Sequence, residues 1–379
     1  MIDLYRRSPH VVSYWSGHEL IFENYSTRTR VAATPATCAI LHCFDRWRPA
    51  GELARRFPDR SADSLARALA DLVRVGLVQQ SRGRGDRNDD ALATWKGWSP
   101  AASFFHFSTK DAHAPMEAAA AVRQQRKRAR IAPMPPPVKR YRGAPQIRLP
   151  RPDAAGEFAR VLLERRTWRQ FSRQPVPLAK LATLLGLTFG VQWWLDLDRI
   201  GRVGLKTSPS GGGRHPIEPY VLSLRVEGLR RGLYHYNAAT HRLELLREGA
   251  TAAQLRRYVN GQQYFGRAAA LVVMTAVFAR SQWKYPRPRA YRSVLADAGH
   301  VGQTFCLVAT WLGLAPFCTM ALADSAIEAD LDVDGVTESV LYTAGVGSRP
   351  PGMDWAPWST APYGQRSPNK ALRSRAPRR

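Results

Sequence analysis

The stretch Ser208-Pro209-Ser210-Gly211-Gly212-Gly213-Arg214-His215-Pro216 sets three consecutive glycines between a serine turn and an arginine. Without Cβ atoms the backbone can run close to a bound group, with its N–H groups pointing at it. Such a loop suits an anion. A second stretch, Glu164-Arg165-Arg166-Thr167-Trp168-Arg169-Gln170-Phe171, crowds three guanidiniums together, and guanidiniums hold phosphate through paired hydrogen bonds. A third, Gly345-Val346-Gly347-Ser348-Arg349-Pro350, is a glycine-relieved strand end carrying another arginine. Singly, each has a structural reading as a turn, a charged helix end or a C-terminal loop. The glycines alone serve phosphate, nucleotide or nucleic acid equally well. They are not a dinucleotide fingerprint, because Ile217–Leu224 reads as a strand where that motif opens a helix.

The elements that position these residues divide the chain. Residues 1–30 alternate weakly around Val11–Trp15 and Leu20–Glu23, the pattern of a hairpin or two edge strands. Helical periodicity follows over Thr37–Phe44, Ala50–Phe57 and Ser61–Val75, stopped by Gly76, with Leu77–Gln80 starting a wing strand. This order is winged-helix-like over residues 1–82. Its third helix alternates Asp63, Arg67, Asp71 and Arg74, so it reads as a peptide- or partner-binding domain rather than a duplex reader. Residues 83–156 hold a polar linker, an aromatic segment with Trp95, Trp98 and Phe104–Phe107, an Ala/Arg helix from Met116 to about Ile131, and an extended basic arm. Residues 157–352 read as α+β: helices at Glu157–Glu164, Pro177–Leu185, Tyr291–Leu312 and Ala326–Leu331, and strands at Ile217–Arg225, Gly232–Tyr236, Leu271–Ala279, Ala315–Met320 and Ser339–Val346. Residues 353–379 are a basic tail.

The formal net charge is +26, and sixteen of the positive charges lie in two acid-free segments, Ala118–Pro152 and Arg366–Arg379. Attraction to an acidic partner is the functional consequence, and solvated tails are the structural one. Cys38, Cys43, Cys306 and Cys318 form no Cys-x-x-Cys pair and no zinc spacing, which predicts reduced thiols and no metal. No apolar run opens the chain, so a cytoplasmic protein is expected. The apolar run Phe305–Ala323 divides at Gly313–Pro316, which predicts a buried helix and strand in place of a membrane span.

Together and in this order, the three glycine and arginine stretches resemble the nitroreductase-like flavin enzymes, specifically the SagB-type dehydrogenases of peptide natural-product maturation. The resemblance covers roughly residues 95–110 and 157–350. It implies a nitroreductase-like FMN-binding domain, with Arg165, Arg166, Thr167, Arg169, Pro209, Ser210, Gly211, Gly212, Gly347 and Arg349 holding the FMN. Lys284-Tyr285 match the adjacent lysine and tyrosine regarded as catalytic in the family's azoline oxidases, and Asp297-Ala298-Gly299-His300 with Gln303 match its long helix. Tyrosine and lysine have ordinary pKa values of about 10 and about 10.4. A neighbouring ammonium stabilises phenolate, which makes Tyr285 the proton acceptor and Lys284 its electrostatic partner; the structural alternative is a basic aromatic lid. His300 either bonds within the fold or lines the flavin site. Gly213 and His215 depart from the family pattern.

The resemblance further implies oxidation of thiazoline or oxazoline to azole in a ribosomally made precursor peptide, by hydride transfer to flavin. It implies a cyclase or other maturation enzyme as partner and an interlocked homodimer with flavin at the interface, on whose neighbouring subunit Phe104–Phe107 and Pro133–Pro137 would lie. The alternatives are a flavin-dependent reductase of dehydroamino acids or another peptide-tailoring oxidoreductase, and a non-enzymatic DNA- or peptide-binding scaffold.

Overall fold

The structure is a computed structural model that describes residues 3–81, 91–111, 118–132, 136, 137, 139, 145, 147, 149, 150, 155–198 and 201–352. The sequence-predicted tail at 353–379 and most of the basic arm lie outside them.

The central feature is a six-stranded sheet. Its strand order is Arg242–Glu248, Gly232–Asn237, Ile217–Ser223, Ala270–Val277, Glu338–Ser348, Leu314–Thr319, and each neighbouring pair is antiparallel. The Ala270–Val277 strand shows why both faces are covered. Its run is apolar except for Thr275 and is buried as far as Ala276. Side chains alternate across a strand: Ala270, Val272, Met274 and Ala276 enter one core, while Leu271 and Val273 enter the other. The first core is completed by the helices Leu178–Phe189 and Ala290–Trp311, which bring Leu181, Leu185, Val294 and Phe305. The second is completed by Ala252–Tyr258 and Asp324–Leu331 through Leu255, Tyr258, Ile327 and Leu331. The Phe305–Ala323 run does divide: its helix ends at Trp311 and a strand starts at Leu314. Among the described residues no helix is long and apolar enough to cross a membrane.

At the N-terminal end, helices Pro35–Cys43, Gly51–Arg56 and Ala62–Arg74 share a separate core with Leu77 and Val78, built on Ile40, Leu41, Leu53, Leu65, Leu69 and Leu72. Val78–Gln80 pairs with Leu4–Arg7, which also pairs with Arg48–Pro49. The expected hairpin is a three-stranded meander, because Thr29–Ala32 adds to Val11–Ser16 and Glu19–Asn24.

The aromatic segment corrects one expectation. Phe104–Phe107 was placed on a neighbouring subunit, yet His106 and Phe107 are buried in the first core of their own chain and Phe104 packs against it. Trp95 is 1% exposed; its ring lies 4.7 Å from Phe278 and 5.1 Å from His106, and its Nε1 donates to Val336 O at 2.8 Å. A run this rich in large rings buries more surface against the sheet-bound helices than a linker would. Tyr25 stacks on Phe107 with centroids 6.1 Å apart, so the N-terminal part docks through the same segment. The following Ala118–Ile131 helix sits where an Ala/Arg helix was expected.

Lys110 and Asp111 fasten the end of this segment. Lys110 Nζ lies 2.6 Å from Glu328 Oε2, and Asp111 N donates to Asp324 Oδ2 at 2.9 Å. Burial pushes the Asp324 pKa up to about 6, helped by the Asp111 and Glu328 carboxylates.

Two outcomes are expected. Trp95→Ala lowers the unfolding free energy by about 3–5 kcal/mol in urea titrations; a loss below about 1 kcal/mol would mean the segment is peripheral. Asp324 is protonated more readily folded than unfolded, so its contribution to stability is complete below about pH 4 and is lost as pH rises through about 6. Asp324→Asn therefore flattens the fall in Tm between those pH values relative to wild type, measured by calorimetry. An unchanged Tm–pH curve removes Asp324 from the linkage.

Candidate active site

The glycine stretch folds into one tight turn, Gly211–Gly213, with Gly212 at φ 66°. The turn is pinned to one face of the Ala290–Trp311 helix. Ser210 Oγ donates to Asp297 Oδ2 at 2.5 Å, Gly211 N donates to Asp297 Oδ1 at 3.1 Å, and Ser210 Oγ accepts from His215 N at 2.8 Å. Three residues further along that helix, His300 Nδ1 is 3.2 Å from Pro209 O; a turn beyond, Thr304 Oγ1 is 2.7 Å from Ser208 Oγ. His300 thus bonds within the fold. Burial raises the Asp297 pKa, opposed by the Ser210 and Gly211 donors. A Cβ at Gly211 would overlap Ser293 Oγ, and one at Gly212 would sit 2.5 Å from the Tyr285 hydroxyl. Gly211 is thus favoured by contact, and Gly212 by contact and by its positive φ.

That second contact brings the predicted pair to the loop. The Ala270–Val277 strand runs directly into the helix Phe278–Lys284, where a longer strand was expected. Tyr285 caps this helix, with its carbonyl held by Trp98 Nε1 at 2.9 Å. Lys284 Nζ donates to Gly212 O at 3.2 Å and lies 5.6 Å from the centre of the Tyr285 ring. Pro209, Ser210, Gly211, Gly212, Lys284 and Tyr285 therefore form one cluster. Both members of the pair are exposed.

A cleft of about 710 Å³ opens beside this cluster, reached past Gly213 and Trp283. Gly213, Arg214 and His215 of the glycine stretch line it, but one wall escaped the sequence reading: the hairpin Trp193–Leu197/Gly201–Leu205, whose first strand is exposed throughout. Within the cleft, Glu218 accepts from His235 Nε2 at 2.9 Å and pairs with Arg280. Burial works to raise the Glu218 pKa, but those partners outweigh it and hold the carboxyl low. Burial and the nearby Lys206, Arg214 and Arg280 push His215 down to about 4, so it is neutral at pH 7.

Arg165, Arg166, Thr167, Arg169, Gly347 and Arg349 gather elsewhere. Trp168 N donates to Pro316 O at 2.9 Å and Ser172 N to Ser348 O at 3.0 Å, which ties the arginine segment to the edge strand Leu314–Thr319 and its neighbour Glu338–Ser348. Arg349 donates to Leu314 O and Thr310 O, at 3.0 and 3.1 Å, and its guanidinium lies 5.5 Å from the Trp168 ring centre. A side chain at Gly347 would strike Phe171. Tyr264, absent from the sequence reading, lies 5.7 Å from the Arg169 guanidinium.

The register separates the two groups. Ile217 lies opposite Ala276, and Val277 opposite Glu338, at the loop end; Ser223 lies opposite Ala270, which faces Val346, at the arginine end. Six steps of strand at roughly 3.3 Å place the ends about 20 Å apart. One chain does not bring the two groups together. The residues nonetheless fit FMN in kind: burial and the adjacent Arg165 both lower the Arg166 pKa, the mark of crowded cations suited to a phosphate dianion. The glycine turn suits close approach by a flat ring.

Residues 162–348 match the model described as Nitroreductase family. The trifolitoxin-processing protein TfxB of Rhizobium leguminosarum bv. trifolii is 34% identical over 143 residues, 36% of this chain and 38% of TfxB. MJ1384 of Methanocaldococcus jannaschii, a protein with a nitroreductase name, is 29% identical over 173 residues, 46% of this chain and 83% of its own. The microcin B17-processing protein McbC of Escherichia coli is 30% identical over 138 residues, 35% of this chain and 50% of McbC. The matches thus span half or less of the two processing proteins.

Gly211→Ala should weaken FMN binding at least about tenfold in a flavin-fluorescence titration, as the turn is forced off Asp297. Gly51→Ala, with open space around the added carbon, should leave it unchanged. Equal affinities in the two variants would remove the turn from the flavin site.

Proposed function

We propose that this protein is an FMN-dependent dehydrogenase of a ribosomally made precursor peptide, oxidising thiazoline or oxazoline rings to azoles in the cytoplasm; the match of residues 162–348 to the Nitroreductase family supports the flavin chemistry. The observation that carries this reading is the contact of Lys284 and Tyr285 with the glycine turn, Lys284 Nζ standing 3.2 Å from Gly212 O. It is supported by the similarity to two proteins named for peptide processing.

Aromatisation of an azoline removes two hydrogens, one as hydride and one as a proton. When bound, FMN supplies the two-electron acceptor for the hydride. Arg165, Arg166, Thr167, Arg169, Gly347 and Arg349 would hold its phosphate end, and Pro209–Gly212 would lie along its ring. Tyr285 Oη takes the proton. Lys284 Nζ supplies the positive charge beside the phenol, 5.6 Å from the centre of the Tyr285 ring, and the Trp98 bond to the Tyr285 carbonyl fixes the reach of the phenol.

The separation of the two residue groups across the sheet gives the homodimer its purpose. A second copy offers its arginine end to the glycine turn of the first, and two identical composite sites result. The winged-helix-like residues 1–82 then hold the peptide leader or a partner cyclase.

Purified protein should be yellow or take up FMN, and its co-encoded peptide should lose two hydrogens per ring by mass spectrometry. Colourless protein that cannot bind FMN would end the proposal, and a gain of two hydrogens would reverse its direction. Tyr285→Phe should keep the flavin and lose at least about 100-fold in turnover. Co-expressing Tyr285→Phe chains with Arg165→Ala/Arg169→Ala chains tests the composite site. Random pairing restores about a quarter of wild-type activity if each site draws on both chains, and none if it draws on one.

A further inference from the structure

The cleft beside the glycine turn carries more positive charge than its own acids neutralise. Arg202, Lys206, Arg214 and Arg280 line it, with Glu218 and Glu338 as the only carboxylates in the lining. Those two are engaged already. Glu218 holds Arg280 and His235, and Glu338 Oε1 accepts from Tyr220 at 2.8 Å and from Thr275. Arg202 has the exposed Asp196 at 3.6 Å. Lys206 and Arg214 have no ion-pair partner among the described residues, and the buried Arg214 Nε finds no acceptor there. Burial lowers the Lys206 pKa against the pull of Glu218. Cations taken from water without a counter-ion are unfavourable, so the arrangement is completed by an anion brought from outside.

The walls say which anion. Arg202 lies 4.8 Å from the Trp194 ring centre and Arg214 lies 5.1 Å from that of Trp283, itself 66% exposed. Aromatic faces beside guanidiniums accept uncharged side chains next to an acid. A continuous polyanion would meet Glu218 and Glu338, whereas separated carboxylates would not. We propose that this cleft binds an acidic segment of the peptide substrate, one Asp or Glu carboxylate bridging Lys206 and Arg214 while its neighbours pack on Trp194 and Trp283. The assignment rests on the peptide reading above. It places the anchored segment next to Lys284 and Tyr285 and so makes an acidic residue near the reacting ring a determinant of specificity.

The test is anisotropy of a dye-labelled Gly/Glu/Asp hexapeptide and its Gln/Asn counterpart on the full-length protein. The acidic peptide should bind at least about tenfold tighter, and Arg214→Gln and Lys206→Gln should each weaken it at least about fivefold. Arg231→Gln, at an exposed position outside the cleft, should not. Equal binding of the two peptides, indifference to the cleft variants, or displacement by equimolar inorganic phosphate would overturn the assignment. Because the readout needs no turnover, the two readings fail separately. Acidic preference with no mass change on the co-encoded peptide refutes the peptide dehydrogenase and leaves the cleft; mass change without acidic preference does the reverse.

Discussion

The buried carboxylate of Asp297 organises the loop end of the molecule. It is 3% exposed and receives the Ser210 hydroxyl on one oxygen and the Gly211 amide on the other. Hydrogen bonds to an ionised group are stronger than neutral ones, and a buried carboxylate without them would be costly. Those two bonds therefore fix where the turn can lie. The Gly212 carbonyl that meets Lys284, and the space that the Tyr285 hydroxyl occupies, follow from that placement. The helix beneath repeats the device, since Ser293, Asp297, His300 and Thr304 all meet the loop from one face. Helical spacing of three and four residues makes this a continuous polar stripe on an otherwise apolar element.

The sheet imposes the second constraint. Its central strand is buried on both faces, so neither face is open for a flat cofactor and the chemistry is pushed to the strand ends. The antiparallel order then sends the glycine turn and the arginine segment to opposite ends. The same packing that stabilises the core thus keeps the two groups of residues apart within one chain, which is the separation that the proposed homodimer would bridge.

Much of this was legible. The long helix was read as Tyr291–Leu312 and is Ala290–Trp311, because a continuous buried stripe with a glycine stop is a strong periodic signal. The hairpin Trp193–Leu205 and the edge strand Arg242–Glu248 were not read, because strands with little or no buried face leave no alternation to detect. The sequence carries the preceding strand as far as Ala279, into the first residues of the helix Phe278–Lys284, because apolar Phe278 and Ala279 continue the strand's apolar run. Asp297 stood in a quoted motif, yet its role depends on a loop 86 residues away. The separation of the glycine turn from the arginine segment could not be read from the residues themselves for a similar reason: strand direction within a sheet is decided by pairing, and pairing partners are not adjacent in sequence.

The charge of the chain looks different with the structure in hand. Much of the +26 sits in two acid-free segments, the first of which includes the helix Ala118–Ile131. The cleft adds a smaller and more specific imbalance, in which Lys206 and Arg214 line one space with Trp283. Exposed charges act over about a Debye length and mainly raise encounter rates. Desolvated ones act at contact and discriminate between ligands. Under the proposed reading, a basic surface that gathers an acidic chain and a cleft that seats one of its carboxylates would be successive stages of the same recognition, and only the second would fix which ring reaches Tyr285.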